Sequence, residues 1–266
     1  LRCVNVLQAV LLLGETDAHV ARYIGPPYVY GIDLAGEKCG LLSSGAVVNT
    51  DRFAMWWGQR GFWQYDGTVQ QVQCSVTDFL YSDLAANQTS KISAFSVADY
   101  SELWWLYQSS ASATDEVDSY VCYDYVEQHW STGRIDRTAG VDKGVTQQPI
   151  MVSSGGFIYN HELDGVMPDG TIFVETTTID IGDGEQNLAV RFLYPDNEAT
   201  NDVTFTLKAR RLPNDTEFTY GPYAYSNPVP TRALGRAIKM RADFQSPASE
   251  LGVVRMDYAP SGTGRR

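Results

Sequence analysis

The segment Glu102-Leu103-Trp104-Trp105-Leu106-Tyr107, followed across a Ser/Ala/Asp loop by Ser119-Tyr120-Val121-Cys122-Tyr123-Asp124-Tyr125 and then Trp130, constrains the fold more than any other feature of the chain. Aromatic and β-branched residues packed this densely around an acidic loop predict a β-hairpin with strands buried on both faces, not a helix. The pattern recurs. Gly61-Phe62-Trp63-Gln64-Tyr65-Asp66 aligns position by position with Ser119-Tyr120-Val121-Cys122-Tyr123-Asp124, and Gly156-Phe157-Ile158-Tyr159 repeats it with one residue deleted. The spacings, 58 residues from 61 to 119 and 37 from 119 to 156, bracket the roughly 40 to 50 residues of a four-stranded propeller blade. The expectation is an all-β chain: propeller blades over 1–165, cut off before a ring is complete, then a β-sandwich-like domain over 166–266, with one short helix.

Leu7 to Leu13 and Ala18 to Ile24 are predicted strands turning at Gly14–Asp17, after which Gly25-Pro26-Pro27 is expected to force the chain out of the ladder. Val47-Val48, Phe53 to Trp57, Phe62 to Tyr65 and Thr68 to Val72 follow as short strands, the last two joined at Asp66-Gly67. Val76, Phe79, Leu80 and Leu84 recur at helical spacing behind Ser75, which predicts about three turns with Ser75 as N-cap. Two Asp-Gly steps and Pro168 mark a domain joint near Asp164–Gly170. Beyond it the alternation is clean: Val203, Phe205, Leu207 and Ala209 oppose Thr204, Thr206, Lys208 and Arg210. Likewise Ile238, Met240, Ala242 and Phe244 oppose Ala237, Lys239, Arg241 and Asp243. Such half-wet strands suit a two-sheet sandwich, and Pro213 to Pro230 between them is expected to be a long loop.

With 266 residues and 44% hydrophobic content, the chain can bury an ordinary core. Its longest apolar run, Val10 to Leu13, is too short to span a bilayer, and no leader pattern opens the sequence. Because the sequence begins at Leu1 within strand-like residues, upstream residues are expected to be missing or to belong to another piece, and to complete the blades. Cys3, Cys39, Cys74 and Cys122 are widely spaced without a Cys-x-x-Cys pair, and only His19, His129 and His161 accompany them, so reduced, buried thiols are expected rather than a metal site. The net charge of −12 is uneven: residues 1–165 hold 9 Lys/Arg against 19 Asp/Glu, and 166–266 hold 11 against 13. An acidic surface repels nucleic acid, which argues against specific DNA recognition.

Several residues invite a chemical reading, and each has a plainer one. Asp180-x-Gly182-Asp183-Gly184-Glu185 has calcium-loop composition, but glycines stand where EF-hand ligands should. A tight turn is favoured, with Glu185 and Gln186 available to a neighbouring subunit. Asp115, Glu116 and Asp118 could serve a glycosidase, yet a polar hairpin tip would leave their acidities ordinary. His161-Glu162 has no nucleophile motif beside it. Trp56, Trp57, Trp63, Trp104 and Trp105 would stack on sugars if exposed, though strand context favours core packing. The sequons at Asn87 and Asn214 matter only in a secreted eukaryotic setting. Lys208, Arg210, Arg211, Arg236, Lys239 and Arg241 form the one cationic concentration. DNA phosphate in a channel, the acidic domain of an adjacent subunit, or plain solvent could face it.

Tyr23-Ile24-Gly25-Pro26-Pro27-Tyr28, Cys39-Gly40-Leu41, Tyr65-Asp66-Gly67, Glu102-Leu103-Trp104-Trp105, Ile179-Asp180-Ile181-Gly182-Asp183-Gly184-Glu185-Gln186 and the closing Gly264-Arg265-Arg266 together resemble the tail nozzle proteins of short-tailed bacteriophages, also described as packaged-DNA stabilisation proteins. The likeness runs from about 20 to 266. It implies a non-enzymatic, cofactor-free β-propeller protein of the virion, forming a six-fold ring at the distal end of the tail. That ring would retain DNA, then conduct it at ejection, beside adaptor and portal-proximal proteins, tail fibres and a host surface receptor. The cationic residues above, with Asp183 and Glu185, are then candidates for the subunit interface or DNA channel. A propeller that binds or cleaves host carbohydrate during adsorption is the alternative, and a twelve-fold adaptor-like ring in the neck is a third.

Overall fold

The computed structural model describes residues 1–163, 172–180, 186–196, 202–212, 215–246 and 249–263. The chain is all-β and divides into two compact units, Leu1–Leu163 and Asp164–Arg266. The joint expected at 164–170 and the Gly264-Arg265-Arg266 terminus lie outside the described residues. No described helix is long and apolar enough to cross a membrane.

The first unit is a succession of antiparallel meanders. Strands β1 (Arg2–Val6), β2 (Ala9–Leu13), β3 (Ala18–Gly25) and β4 (Val29–Gly36) form the first, in sequence order. The second comprises β5 (Val47–Asn49), β6 (Ala54–Gly58), β7 (Gly61–Tyr65) and β8 (Val69–Val72). The third comprises β9 (Ser93–Val97), β10 (Glu102–Tyr107), β11 (Ser119–Asp124) and β12 (His129–Arg134). A three-stranded sheet follows, β13 (Ala139–Val141), β14 (Ile150–Val152) and β15 (Ile158–Asn160). The recurring aromatic segment fills the third strand in the second and third sheets, β7 and β11, while of its copy at 156–159 only Ile158 and Tyr159 lie in the third strand, β15. First strands β1, β5, β9 and β13 neighbour one another in succession.

Alternation of side chains along a strand explains why these segments are apolar on both faces. On β10, Leu103, Trp105 and Tyr107 enter a core shared with Leu11 and Leu13 of the first sheet and Trp56, Trp57 and Phe62 of the second. Leu106 points the other way, into a smaller core with Phe95, Val97, Val117 and Met151 of the fourth sheet. The third sheet is therefore packed between its neighbours. Trp56, Trp57 and Trp105 are fully buried, and Trp56 and Trp105 donate Nε1–H to the carbonyls of Cys39 at 2.6 Å and Ala46 at 2.9 Å. Burial of each such ring contributes on the order of 2–3 kcal/mol.

Four local expectations are corrected. Gly25-Pro26-Pro27 does not end the ladder: Gly25 pairs with Val29 and the prolines sit in the β3–β4 turn, where no ladder N–H is needed. Helix α1 (Thr77–Asp83) is capped at Val76 rather than Ser75, without a side-chain cap, and spans about two turns; Thr77 Oγ1 instead bonds the Cys74 carbonyl. Phe79 is exposed, so the buried stripe narrows to Leu80 with Val76 and Leu84 at its flanks. Cys3 is exposed, whereas Cys39 and Cys122 are buried and Cys74 is partly so; all four are free.

In the second unit, β16 (Ile172–Glu175), β22 (Ala237–Phe244), β19 (Val203–Arg210) and β20 (Phe218–Ala224) form one sheet, with β17 (Ile179–Asp180) also paired to β22. Strands β21 (Val229–Gly235), β18 (Gln186–Pro195) and β23 (Val254–Thr263) form the other. Phe205, Leu207 and Ile238 from one and Val190, Leu193 and Val229 from the other share one buried cluster. The expected long loop at 213–230 is a fourth correction, since it contains β20 and the start of β21. Both are edge strands, and Pro222 stands where the β19–β20 register shifts between Phe205 and Leu207, so the missing N–H breaks no ladder bond.

Candidate functional site

The best-built polar arrangement lies where α1 meets the third sheet. Tyr107, Ser119 and Arg134 are direct cross-strand partners at one end of β10, β11 and β12, and Asp83 closes α1 against them. Arg134 donates from Nη2 to Asp83 Oδ1 at 2.8 Å and from Nη1 to Asp118 Oδ2 at 3.2 Å and Ser119 Oγ at 2.8 Å. The Tyr107 hydroxyl donates to Asp83 Oδ2 at 2.9 Å. Asp118 also accepts from the Ser109 N–H and hydroxyl, both at 2.8 Å, and from Ser119 Oγ at 3.1 Å.

Burial opposes ionisation of Asp118, but the Ser109 and Ser119 bonds with the Arg134 charge outweigh it and hold the carboxyl below its usual range. This corrects the expectation of an ordinary, solvated acid at 118; Asp115 and Glu116 are exposed as expected. Burial, reinforced by the bond to Asp83, pushes the Tyr107 hydroxyl strongly upward. Both carboxylates are engaged by donors, and the base that faces the two serine hydroxyls, Asp118, is held below its usual range and so accepts a proton poorly; the arrangement fastens helix to sheet.

Next to the fourth sheet, Arg137 donates from Nε to His161 Nε2 at 2.9 Å and lays its guanidinium over the Tyr159 ring at 3.9 Å. Burial, and then the Arg137 charge, lowers His161 to about 4. It is a neutral acceptor. Glu162 is shifted upward by burial and by Glu102.

The cationic face of the second unit is internally matched. Lys208 and Lys239 are direct cross-strand partners, a destabilising pairing unless acids intervene. Glu175 of β16 does so, at 2.5 Å from Lys208 and 3.9 Å from Lys239. Glu217 takes Arg210 at 2.9 Å and Lys239 at 3.4 Å. Although burial pulls its carboxyl upward, Lys239, Arg210 and Lys208 hold it low. Arg241 pairs with Asp243 at 2.5 Å and covers the Phe173 ring at 3.9 Å, Arg211 lies 5.6 Å from the Phe218 ring, and the Arg236 amide donates to the Arg210 carbonyl. Asp183 and Glu185 lie outside the described residues. Glu175 and Glu217 escaped sequence reasoning; the readable signal was two like charges at equivalent positions of adjacent strands, which demands an intervening acid.

Among the described residues, no group of three or more His, Cys, Asp or Glu could hold a metal ion. Two depressions, about 250 Å³ beside Gly14, Asp17 and His19 and about 320 Å³ beside Arg60, Gln71 and Cys74, are open surface hollows. Trp63 and Trp104, like Trp130, are partly buried, with Trp104 stacked on Tyr120 at 4.5 Å.

No family profile matches the chain, and no curated protein matches it. A solved structure described as a glycoside hydrolase aligns over 96% of this chain and 83% of its own at 10% identity and a TM-score of 0.29. At that level nothing of fold or chemistry carries over.

Proposed function

We propose that the chain is a structural protein of a short-tailed phage virion, whose first unit is built of propeller blades and which assembles as a six-fold nozzle ring retaining and conducting DNA. The observation that carries this reading is the succession of meanders in sequence order, with adjacent first strands and the third sheet packed between two cores. Blades stacked around an axis have that arrangement. The acidic excess of residues 1–165 suits a wall past which DNA slides without adhering. The two best-built polar arrangements, Asp83–Tyr107–Asp118–Arg134 and Glu175–Lys208–Glu217–Lys239, are engaged in bonds that join elements of one unit. Adaptor and portal-proximal proteins and tail fibres are its proposed neighbours, with a host receptor acting at ejection.

The carbohydrate reading loses its main support, because Trp56, Trp57 and Trp105 are fully buried and Trp104 is engaged with Tyr120. Gold-labelled antibody against this chain, applied to intact virions, tests the proposal. Label at the distal tail is expected; virions labelled elsewhere or not at all would refute it.

A further inference from the structure

The two sheets of the second unit share one core and turn opposite faces outward, and those faces treat charge differently. On the β16–β22–β19–β20 sheet, Lys208, Arg210, Lys239 and Arg241 each meet an acid. The strands of the β21–β18–β23 sheet hold three arginines, no lysine and a single acid, Asp257. None of these four charged groups forms an ion pair with a described residue.

Register puts the three arginines on the outer face. Val190 and Leu193 are buried in the shared core, and the register shift between them turns both Arg191 and Phe192 outward. Arg191 stands opposite the Thr231–Arg232 step of β21; Thr231 is buried and bonds the Val190 carbonyl, which leaves Arg232 beside Arg191 outside. On the other flank Arg255 is the direct partner of Tyr194, and Asp257 that of Phe192. All three arginines are exposed, and the Phe192 and Tyr194 rings lie 6.2 Å apart between them. Two adjacent like charges without an intervening acid are unfavourable in an isolated sheet, so this face is suited to carboxylates supplied from outside.

We infer that the outer face of the β21–β18–β23 sheet, centred on Arg191, Arg232 and Arg255, docks on the acidic first unit of a second copy. This rests on the ring-forming reading above and deepens it. A closed ring needs two different, complementary patches on every subunit, and residues 1–165, with 9 Lys/Arg against 19 Asp/Glu, supply the opposite sign. Arginine and aromatic rings without lysine are the composition of a protein interface, where the planar guanidinium takes carboxylates two bonds at a time. On a lumen wall the same arginines would hold the DNA that an acidic surface lets slide.

Two variants of the full chain test the inference. Arg191→Gln/Arg232→Gln/Arg255→Gln removes the charge, with circular dichroism and thermal unfolding establishing that the fold is intact. By mass photometry the wild type is expected to assemble, more weakly as salt rises from about 50 to 500 mM, and the glutamine variant to need about 10-fold or more higher concentration with a flatter salt dependence. Arg191→Lys/Arg232→Lys/Arg255→Lys keeps the charge and supplies amines. Isotope-labelled and unlabelled copies of it are mixed and coupled with a carbodiimide, which joins amine to carboxylate where they touch. Peptides linking position 191, 232 or 255 of one copy to an acid within 1–165 of another are expected.

Equal assembly of the glutamine variant and the wild type overturns the inference but leaves a ring formed through other surfaces. Links confined to single copies assign the face to the first unit of its own chain, and links to 166–266 of another copy assign it to the second unit; either overturns the inference. Tight duplex DNA binding by the wild type that the glutamine variant loses gives the face to phosphate and also overturns it. A wild type that stays monomeric removes the ring reading as well.

Discussion

Trp105 and Leu106 are consecutive in the chain yet belong to different cores: Trp105 packs with Trp56, Trp57 and Phe62, and Leu106 with Phe95 and Met151. One strand thereby joins three sheets on one side to a fourth on the other. Trp105→Ala should cost about 3–5 kcal/mol and Leu106→Ala about 2–5 kcal/mol, with the double variant near additive because the two side chains share no partners. Denaturant titration of the three variants measures this. A strongly non-additive pair would show that the two cores are one.

Arg134 is the sole cation among the groups bonding Asp83 in this arrangement, and Asp83 is almost wholly buried. Arg134→Met leaves that carboxylate with the Tyr107 hydroxyl alone and should destabilise by about 1–3 kcal/mol. Adding Asp83→Asn should recover part of the loss, since the uncompensated charge is gone. Urea midpoints at pH 7 decide; equal loss in single and double variants would mean that Asp83 needs no counter-charge.

His161 titrates near 4 in the folded chain against 6.5 when unfolded. Between those values the unfolded state binds the extra proton, so stability falls as pH drops through that window. For a partly exposed ring the loss is about 1–2 kcal/mol. Asp118, held low, adds a further loss at more acidic pH, as its folded-state carboxyl becomes protonated. His161→Gln should flatten the upper part of the profile. An unchanged slope from pH 6.5 to 4 in that variant would place the sensitivity elsewhere.

Because Glu175 and Glu217 interleave with Lys208, Arg210 and Lys239, the second unit's cationic face should bind duplex DNA weakly in the wild type. Glu175→Gln/Glu217→Gln should uncover the positive charge and give binding that falls steeply with salt. Fluorescence anisotropy at about 50 and 200 mM salt reads both. Equally tight binding by wild type and variant would show that the acids do not mask the face.

Much of the architecture was readable because it rests on alternation. The aromatic segments at 61 and 119 occupy equivalent third strands, whereas at 156 only Ile158 and Tyr159 enter the third strand, and they are exposed; Val203 to Arg210 bury every second residue. Where prediction failed, context overrode a local signal. Prolines at 26–27 and within 213–230 read as strand breakers, but a turn or an unpaired edge tolerates a missing N–H. Asp118 looked like a loop acid because its partners Ser109 and Arg134 come from other strands and turns, and a carboxylate's environment is set by the register that brings them in. Strand β4 was missed, since exposed Tyr30, Ile32 and Leu34 carry the pattern of a buried face without a core behind it.

Copy number in the virion tests the central claim most directly. Quantitative mass spectrometry of purified particles, calibrated against the portal, should return six copies of this chain per virion. Twelve copies would move it to the neck, and its absence from the particle would contradict the account altogether.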